Sequence, residues 1–226
     1  MEPSQALNAG PRSDAILSVV IGAGAVAGAG ILSLALVRLG PISGHMALHI
    51  GSMSVVAPFA AMALVHRHGS YLAAVGGKEL WLATLVQIGL LWASHSPPIH
   101  HVAHASAVGF SALHAALFLA AVAFWTSVMV ATARWQTMFA LLLSAKLACL
   151  LGALLIFSPR VLLAAPPAHD HHALTLSAAL ADQQLAGLLM IATCPLSYVL
   201  TAIVLAAKTV TGFERVPAPA FQALRR

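Results

Sequence analysis

Residues 107–132 read AVGFSALHAALFLAAVAFWTSVMVAT, a stretch without Asp, Glu, Lys or Arg. As an α-helix this stretch would be about 39 Å long, which exceeds the hydrocarbon core of a bilayer, roughly 30 Å thick. Most of its side chains are apolar, and a helix satisfies its own backbone hydrogen bonds in lipid. The stretch therefore predicts a membrane-spanning helix.

Five further apolar stretches predict the rest of the fold, at residues 15–37, 42–65, 80–94, 135–157 and 179–207. The first is too long for the apolar core of a signal peptide, so we interpret it as a helix. The third is the shortest. The sequence predicts an all-α fold, a polytopic transmembrane helical bundle of about six spans over residues 15–208, with tails at residues 1–14 and 209–226.

The composition agrees with a membrane bundle and excludes other classes. Hydrophobic residues make up 60% of the chain and charged residues 8%, with a mean hydropathy of +0.92, whereas an average soluble protein has about 25% charged residues. A soluble domain could not cover so much apolar surface. The net charge of +5 arises from only 11 Lys and Arg against 6 Asp and Glu, which is too dilute for a nucleic-acid-binding patch. Cys149 and Cys194 lie in apolar stretches and do not indicate a disulfide framework.

Positive charges are unevenly divided between the two ends of the predicted spans. With six spans both termini lie on one side, and most cationic residues outside the spans then fall on that side. Since cytoplasmic loops are enriched in Lys and Arg, the sequence predicts cytoplasmic termini. The residues on that side are Arg12, Arg67, Lys78, Arg134, Lys208, Arg215, Arg225 and Arg226, against Arg38 and Arg160 on the other side.

Histidine is the unusual residue of this chain, because its 12 copies outnumber Lys and Arg together. The predicted orientation places most of them in outer loops or in the outer parts of the spans, with Asp170 and Asp182 and almost no cations. Imidazoles and carboxylates without cations favour a metal site over an anion site. The outer histidines are His45, His49, His95, His100, His101, His104, His114, His169, His171 and His172.

The clearest pair is His45 and His49, in the stretch GHMALH at residues 44–49. Their i, i+4 spacing puts both imidazoles on one helical face, where they could share one metal ion. Met46 and Met53 lie on or near that face, and thioether with imidazole suits copper, Cu(I) in particular. Met46 also stands where the zinc-protease motif H-E-x-x-H has its general-base Glu, so a hydrolase is not favoured.

Further candidate ligands lie in three other outer segments. His114 lies about two turns inside the fourth span, where an ionisable residue is usually functional. Asp182, at the start of the sixth span, has no Lys or Arg nearby in sequence and requires a partner, either a metal ion or a histidine. Met190 follows on the same span. The accessory candidates are Met53, His95, His100, His104, His171, Gln183 and Cys194.

Three of these motifs resemble the multi-span CtaG-like family of cytochrome c oxidase assembly factors. HMALH at residues 45–49, followed by Pro58, is similar to that family's H-M-x-x-H span with its later proline. HAALF at residues 114–118, running to FW at residues 124–125, resembles its span with one histidine and an aromatic pair. DQQLAGLLM at residues 182–190 resembles its D-Q-x-x-x-G-x-x-M span and is the most specific match.

The resemblance covers about residues 44–205 and implies a non-enzymatic role in the bacterial plasma membrane. The protein would supply copper to a haem-copper oxidase, through a subunit of that oxidase, from the outer side of the membrane. Outer histidines would gather the copper. The chain departs from the family's pattern at Phe110, where a histidine is frequent. The expected metal ligands are drawn from His45, Met46, His49, His114, Asp182 and Met190.

Other classes of membrane protein fit parts of the pattern. A di-iron hydroxylase or desaturase would use residues 45–49 and 100–104 as histidine boxes, although such enzymes usually hold these boxes on the cytoplasmic side. A b-type cytochrome would hold haem between two spans, for example between His45 or His49 and His114. A metal permease is less favoured, since Lys146 stands alone in the inner half of the spans.

Overall fold

The computed structural model describes residues 22, 30, 39–72, 76–163 and 176–213. Its secondary structure is helical, and no strand occurs in these ranges, which confirms the predicted all-α fold. The predicted first span lies outside the described residues except for Gly22 and Gly30, which are helical. The predicted N-terminal tail, most of the predicted C-terminal tail and His171 also lie outside them.

The described helices follow one another with short connections. Helix α1 (Pro41–Ile50), a π-helical segment (Gly51–Val56) and helix α2 (Ala57–Leu72) form one rod, because the residues at both joints have right-handed helical dihedral angles. The rod is continuous up to His68, whose dihedral angles are not helical. The elements are α1 (Pro41–Ile50), the π-helical segment (Gly51–Val56), α2 (Ala57–Leu72), α3 (Gly77–Ser94), α4 (Pro97–His104), α5 (Ala107–Val130), α6 (Arg134–Phe157) and α7 (Leu176–Phe213).

Four of the described helical stretches are long and apolar enough to cross a membrane: Pro41–His68, Ala107–Val130, Arg134–Phe157 and Leu176–Thr211. They correspond to the predicted second, fourth, fifth and sixth spans. The predicted third span is helix α3, which is not one of the four, and its 18 residues would reach about 27 Å. Large apolar side chains such as Phe139 and Leu200 are exposed on these helices, as expected for surfaces that face lipid.

The π-helical segment follows the His45–His49 pair, and another helix completes its hydrogen bonds. The N–H of Ala57 donates to the carbonyl of Ser52, five residues back. The next bond of that pattern would join residue 58 to Met53, but residue 58 is a proline and has no N–H. The indole Nε1 of Trp125 on α5 donates to the Met53 carbonyl at 3.0 Å. Trp125 thereby ties α5 to the rod.

Helices α6 and α7 form the most extensive helix pair of the described bundle. The two backbones approach closely at Gly152 and Gly187, where a Cβ on Gly187 would lie 2.6 Å from the Gly152 carbonyl oxygen. Small residues permit this approach between membrane helices. The glycine of the DQQLAGLLM motif therefore serves helix packing.

Helix α7 also holds the first turn of α1. The carboxylate of Asp182 accepts hydrogen bonds from the backbone N–H of Ile42 at 2.8 Å and of Ser43 at 3.2 Å, and from the Ser43 hydroxyl. A carboxylate at a helix N-terminus satisfies free N–H groups and complements the helix dipole. Gly40 leaves room for it, since a Cβ there would collide with the carboxylate. This contact fixes the start of the helix that carries His45 and His49.

Candidate metal centre

Five histidines from four parts of the chain surround the imidazole of His45. Its ring centroid lies 4.3 Å from that of His49, 4.9 Å from that of His104 and 5.0 Å from that of His114. The rings of His100 and His95 follow at 5.7 and 6.3 Å. We call these six residues the histidine cluster. They are His45 and His49 on α1, His95 at the C-terminus of α3, His100 and His104 on α4, and His114 on α5.

Three rings of the cluster lie on spanning helices. The Nε2 atoms of His45 and His49 are 2.8 Å apart, and His114 stacks on His49 with ring centroids 4.7 Å apart and planes inclined by 10°. The Nδ1 atoms of His45 and His49 and the Nε2 atom of His114 are buried without a hydrogen-bond partner among the described residues. Buried polar atoms are normally paired, so these nitrogens are available to bind an ion.

Backbone carbonyls orient two of the histidines. Nδ1 of His114 donates to the Phe110 carbonyl at 2.9 Å, and Nδ1 of His95 donates to the Leu91 carbonyl at 2.7 Å. In each neutral ring the lone pair is then on Nε2, an arrangement that is common for histidines that bind metals. Nε2 of His95 lies 3.2 Å from Sδ of Met46, which brings a thioether into contact with the cluster.

The short helix α4 supplies two further rings. Its first turn contains Pro97, a position that suits proline. The i, i+4 spacing stacks His100 on His104, with ring centroids 4.0 Å apart. His100 is buried in the cluster, whereas its neighbour His101 is exposed. Helix α4 therefore presents one histidine face to the cluster.

The cluster histidines outside the spanning helices hold protons weakly. Burial lowers the pKa of His95 to about 4, against the opposing effect of its hydrogen bond to the Leu91 carbonyl. Burial, and after it the neighbouring His104, lowers the pKa of His100 to about 4. The pKa of His104 is lowered by burial and by His114. Because metal binding requires neutral imidazoles, these rings can bind a cation at neutral pH without first losing a proton.

Two sets of three donors in the described residues could each hold one ion. His45, His49 and His114 form the set that we call the span triad, and His45, His100 and His104 form the loop triad. Within each set the donor atoms lie within 4.8 Å of one another, so bonds of about 2.0–2.1 Å to one ion require only small movements. Both sets consist of neutral donors, which favours an ion of low charge in a buried site.

A small cavity adjoins the cluster on the side of the bundle interior. Its free space is about 20 Å³, enough for one water-sized particle. His49 and His95 line it together with four sulfur-containing residues. These are Met46, Met53, Met190 and Cys194, so the structure brings the predicted sulfur ligands together beside the imidazoles.

The remaining predicted ligands of α7 bind backbone groups in the structure. Asp182 accepts hydrogen bonds from the first turn of α1, as described above. Gln183 donates through Nε2 to the carbonyls of Leu155 at 3.2 Å and Arg160 at 3.1 Å, and its Oε1 accepts from the N–H of Leu162 at 2.6 Å. Gln183 thus holds the C-terminal end of α6 against α7.

From the sequence, His95, His100 and His104 are predicted only as accessory ligands. In the structure their ring centroids lie within 6.3 Å of that of His45. The signal for the last two is their i, i+4 spacing, which begins two residues after Pro98 in a stretch whose prolines are typical of a helix start. Phe110, the departure from the resembled family, lies between two imidazoles, with ring centroids 5.0 Å from His104 and 4.1 Å from His114.

Similarity to one known protein family extends over most of the chain. The profile of a family described as cytochrome c oxidase caa3 assembly factor (Caa3_CtaG) matches residues 11–211, a region that contains all six residues of the histidine cluster. No curated protein and no solved structure matches the chain. Since the matched region covers most of the 226 residues, the chain belongs to the family of cytochrome c oxidase caa3 assembly factors.

Proposed function

We propose that this protein binds copper and helps to insert it into a haem-copper cytochrome c oxidase. The observation that carries the proposal is the cluster of six histidines centred on His45, with the Met46 thioether in contact with one of them, His95. Membership in a family of oxidase assembly factors supports an oxidase subunit as the partner. The protein acts by holding and passing on a metal ion, and no catalytic step is required.

The donor set favours copper, and Cu(I) in particular. Imidazole and thioether are ligands that Cu(I) prefers, and His95 places an imidazole nitrogen against the sulfur of Met46. Neutral donors in a medium of low dielectric constant also tolerate one positive charge better than two. The cavity beside His49 offers Met190 and Cys194 as further soft donors. These features support a copper site built on the span triad and Met46.

The cluster would face the outer side of the bacterial plasma membrane. His45 and His114 lie in the N-terminal halves of their spans, while Arg67 and Arg134 lie at the opposite side of the bundle. Cationic residues collect at the cytoplasmic ends of spans, which supports this orientation. Copper would then reach the oxidase from outside.

Release of copper to a client requires a site that exchanges its ligands. His104 and His114 are only partly buried, so an incoming ligand can approach them. A site of neutral donors also lacks the strong attraction that thiolates or carboxylates exert on a cation. These properties suit an ion that is held for transfer.

The proposal is tested by the metal content and absorption spectrum of the detergent-purified full chain, beside a His45→Ala/His49→Ala double variant. We expect near-stoichiometric copper in the wild type, no Soret band, and loss of copper in the double variant. His101→Ala is the matched control, because His101 is an exposed histidine next to the cluster, and this variant should keep its copper.

Other outcomes would contradict the proposal. Iron without copper would favour a di-iron enzyme, and a Soret band would favour a b-type haem protein. An oxidase that matures with full copper content in cells lacking this protein would rule out the assembly role.

A further inference from the structure

The span triad and the loop triad share His45. The span triad adds His49 and His114, whose ring centroids lie 4.3 and 5.0 Å from that of His45. The loop triad adds His100 and His104, at 5.7 and 4.9 Å. The two positions are therefore adjacent, and an ion could move between them without leaving His45.

Both triads need the single free lone pair of His45, so only one of the two positions can hold an ion at a time. A neutral imidazole has a free lone pair on one nitrogen, because the other nitrogen carries a proton. Nε2 of His45 faces His49, and its Nδ1 is buried without a hydrogen-bond partner in the described part of the chain, so either nitrogen can take the role of donor. Neutral His45 can therefore coordinate one ion at a time, in one triad or the other.

The two positions differ in depth, although each combines two buried histidines with one partly buried histidine. The span triad takes His49 and His114 from spanning helices, and His49 lines the sulfur-containing cavity. The loop triad takes two of its ligands from α4, which lies outside the four spanning stretches and carries the exposed His101 between His100 and His104. A copper donor in water would therefore reach the loop triad first.

We propose that the loop triad is a capture site, from which Cu(I) passes to the span triad by an exchange of partners on His45. This inference rests on the proposed function and adds a direction to it. His49 and His114 replace His100 and His104, and each arriving nitrogen supplies the lone pair that a departing nitrogen withdraws. The ion keeps its oxidation state and never leaves protein ligands.

The rate of capture is measured by mixing the detergent-purified full chain with Cu(I) held by a coloured chelator and following the absorbance of the chelator complex. The His100→Ala/His104→Ala variant should capture copper on the order of 10- to 100-fold more slowly and still reach one copper per chain, because the span triad remains. The His49→Ala/His114→Ala variant should capture copper and then return it to the chelator faster than the wild type by a similar factor.

Two controls separate this pathway from general damage. His101→Ala removes an imidazole from the same helix outside both triads and should leave both rates unchanged. His100→Gln/His104→Gln keeps polar side chains on α4 and should slow capture as the alanine pair does, even where the alanine pair weakens folding.

The outcomes distinguish this inference from the function on which it rests. Two Cu(I) ions per wild-type chain at saturation would overturn the alternation on His45. Capture at the wild-type rate by the His100→Ala/His104→Ala variant would overturn the capture site. Either result leaves a copper-binding protein, whereas a wild type that binds no copper would remove the proposed function itself.

Discussion

Asp182 is a membrane carboxylate whose partners in the structure are the backbone N–H groups of Ile42 and Ser43 and the Ser43 hydroxyl. These bonds occupy three of the roughly four lone-pair directions of a carboxylate. At the scale of single residues, we therefore expect Asp182 to act as a positioning residue that holds the helix of His45 and His49.

Two substitutions of Asp182 distinguish positioning from metal binding. Asp182→Ala should lower the free energy of unfolding by about 1–3 kcal/mol, because it leaves buried N–H groups without an acceptor. Asp182→Asn should lose less stability than Asp182→Ala and keep the copper, since its amide oxygen still accepts on one side while its NH2 group faces a donor on the other. Thermal denaturation in detergent and copper content measure the two effects. Loss of copper from a stable Asp182→Asn protein would identify the carboxylate as a ligand.

The buried histidines outside the spans give the protein a defined pH dependence. The pKa values of His95 and His100 are lowered from 6.5 to about 4 on folding. Between these values the unfolded chain binds protons that the folded protein does not, so the copper-free protein should lose stability as the pH falls below about 6.5, with the loss levelling off near pH 4. Thermal denaturation over this range measures the effect, and stability that rises on acidification would contradict it.

The same pKa values predict when copper is released. Protons compete with copper for His100, a ligand of the loop triad, only near pH 4, so the His49→Ala/His114→Ala variant, which holds copper in the loop triad alone, should keep it at about pH 5.5. Equilibrium dialysis measures this, and release already near pH 6.5 would contradict it.

The residues of the site differ in how far the sequence could predict them. His45 and His49 lie on one helix, and helical geometry fixes their separation. Asp182 and Ile42 are 140 residues apart, and only the packing of α7 against α1 brings them together. The contact of His95 with Met46 depends in the same way on two helices, so spacing along the chain could not predict it.

At the scale of the helices, the indole of Trp125 donates to the Met53 carbonyl the hydrogen bond that Pro58, which has no N–H, cannot donate. Trp125→Phe removes the donor to the Met53 carbonyl and should lower the free energy of unfolding by about 1–3 kcal/mol. In a Pro58→Ala background residue 58 regains an N–H that can reach this carbonyl, so the same substitution should cost less. A double-mutant cycle by thermal denaturation measures the coupling, and additive effects would contradict the compensation.

The contact between α6 and α7 gives a second prediction at this scale. A Cβ at Gly187 would lie 2.6 Å from the Gly152 carbonyl oxygen and 2.7 Å from Cγ1 of Ile156. Gly187→Ala should therefore lower the free energy of unfolding by about 1–3 kcal/mol through overpacking. Gly89→Ala on α3 is the matched control, because its Cβ would meet no heavy atom within 4 Å. Equal stability of the two variants would show that the helices can separate freely.

Hydropathy could predict the long helices but not the short elements between them. The four spanning stretches are long and mostly apolar, whereas α4 has eight residues and reads in the sequence as a loop that starts with prolines. The π-helical segment is still harder to predict, because its completed hydrogen bonding depends on Trp125 from another helix.

For the whole molecule, the orientation of the bundle decides on which side copper is passed on. Both termini should be cytoplasmic, because most cationic residues outside the spans then lie inside. A green fluorescent protein fused to the C-terminus should fluoresce in bacterial cells, and alkaline phosphatase at the same position should be inactive. Fusions in the connection between α6 and α7 should give the reverse result. An active C-terminal phosphatase would place the histidine cluster on the cytoplasmic side.

The π-helical segment (Gly51–Val56) can be regarded as an α-helix with one inserted residue. One residue corresponds to a rotation of about 100°, so this segment sets the angle between the histidine face of α1 and the buried Ala57 and Ala61 of α2. Shortening it by one residue would keep the hydropathy of the span but turn His45 and His49 away from His114. In an alignment of relatives, a gap of a single position here would mark loss of the metal site even where every histidine is retained.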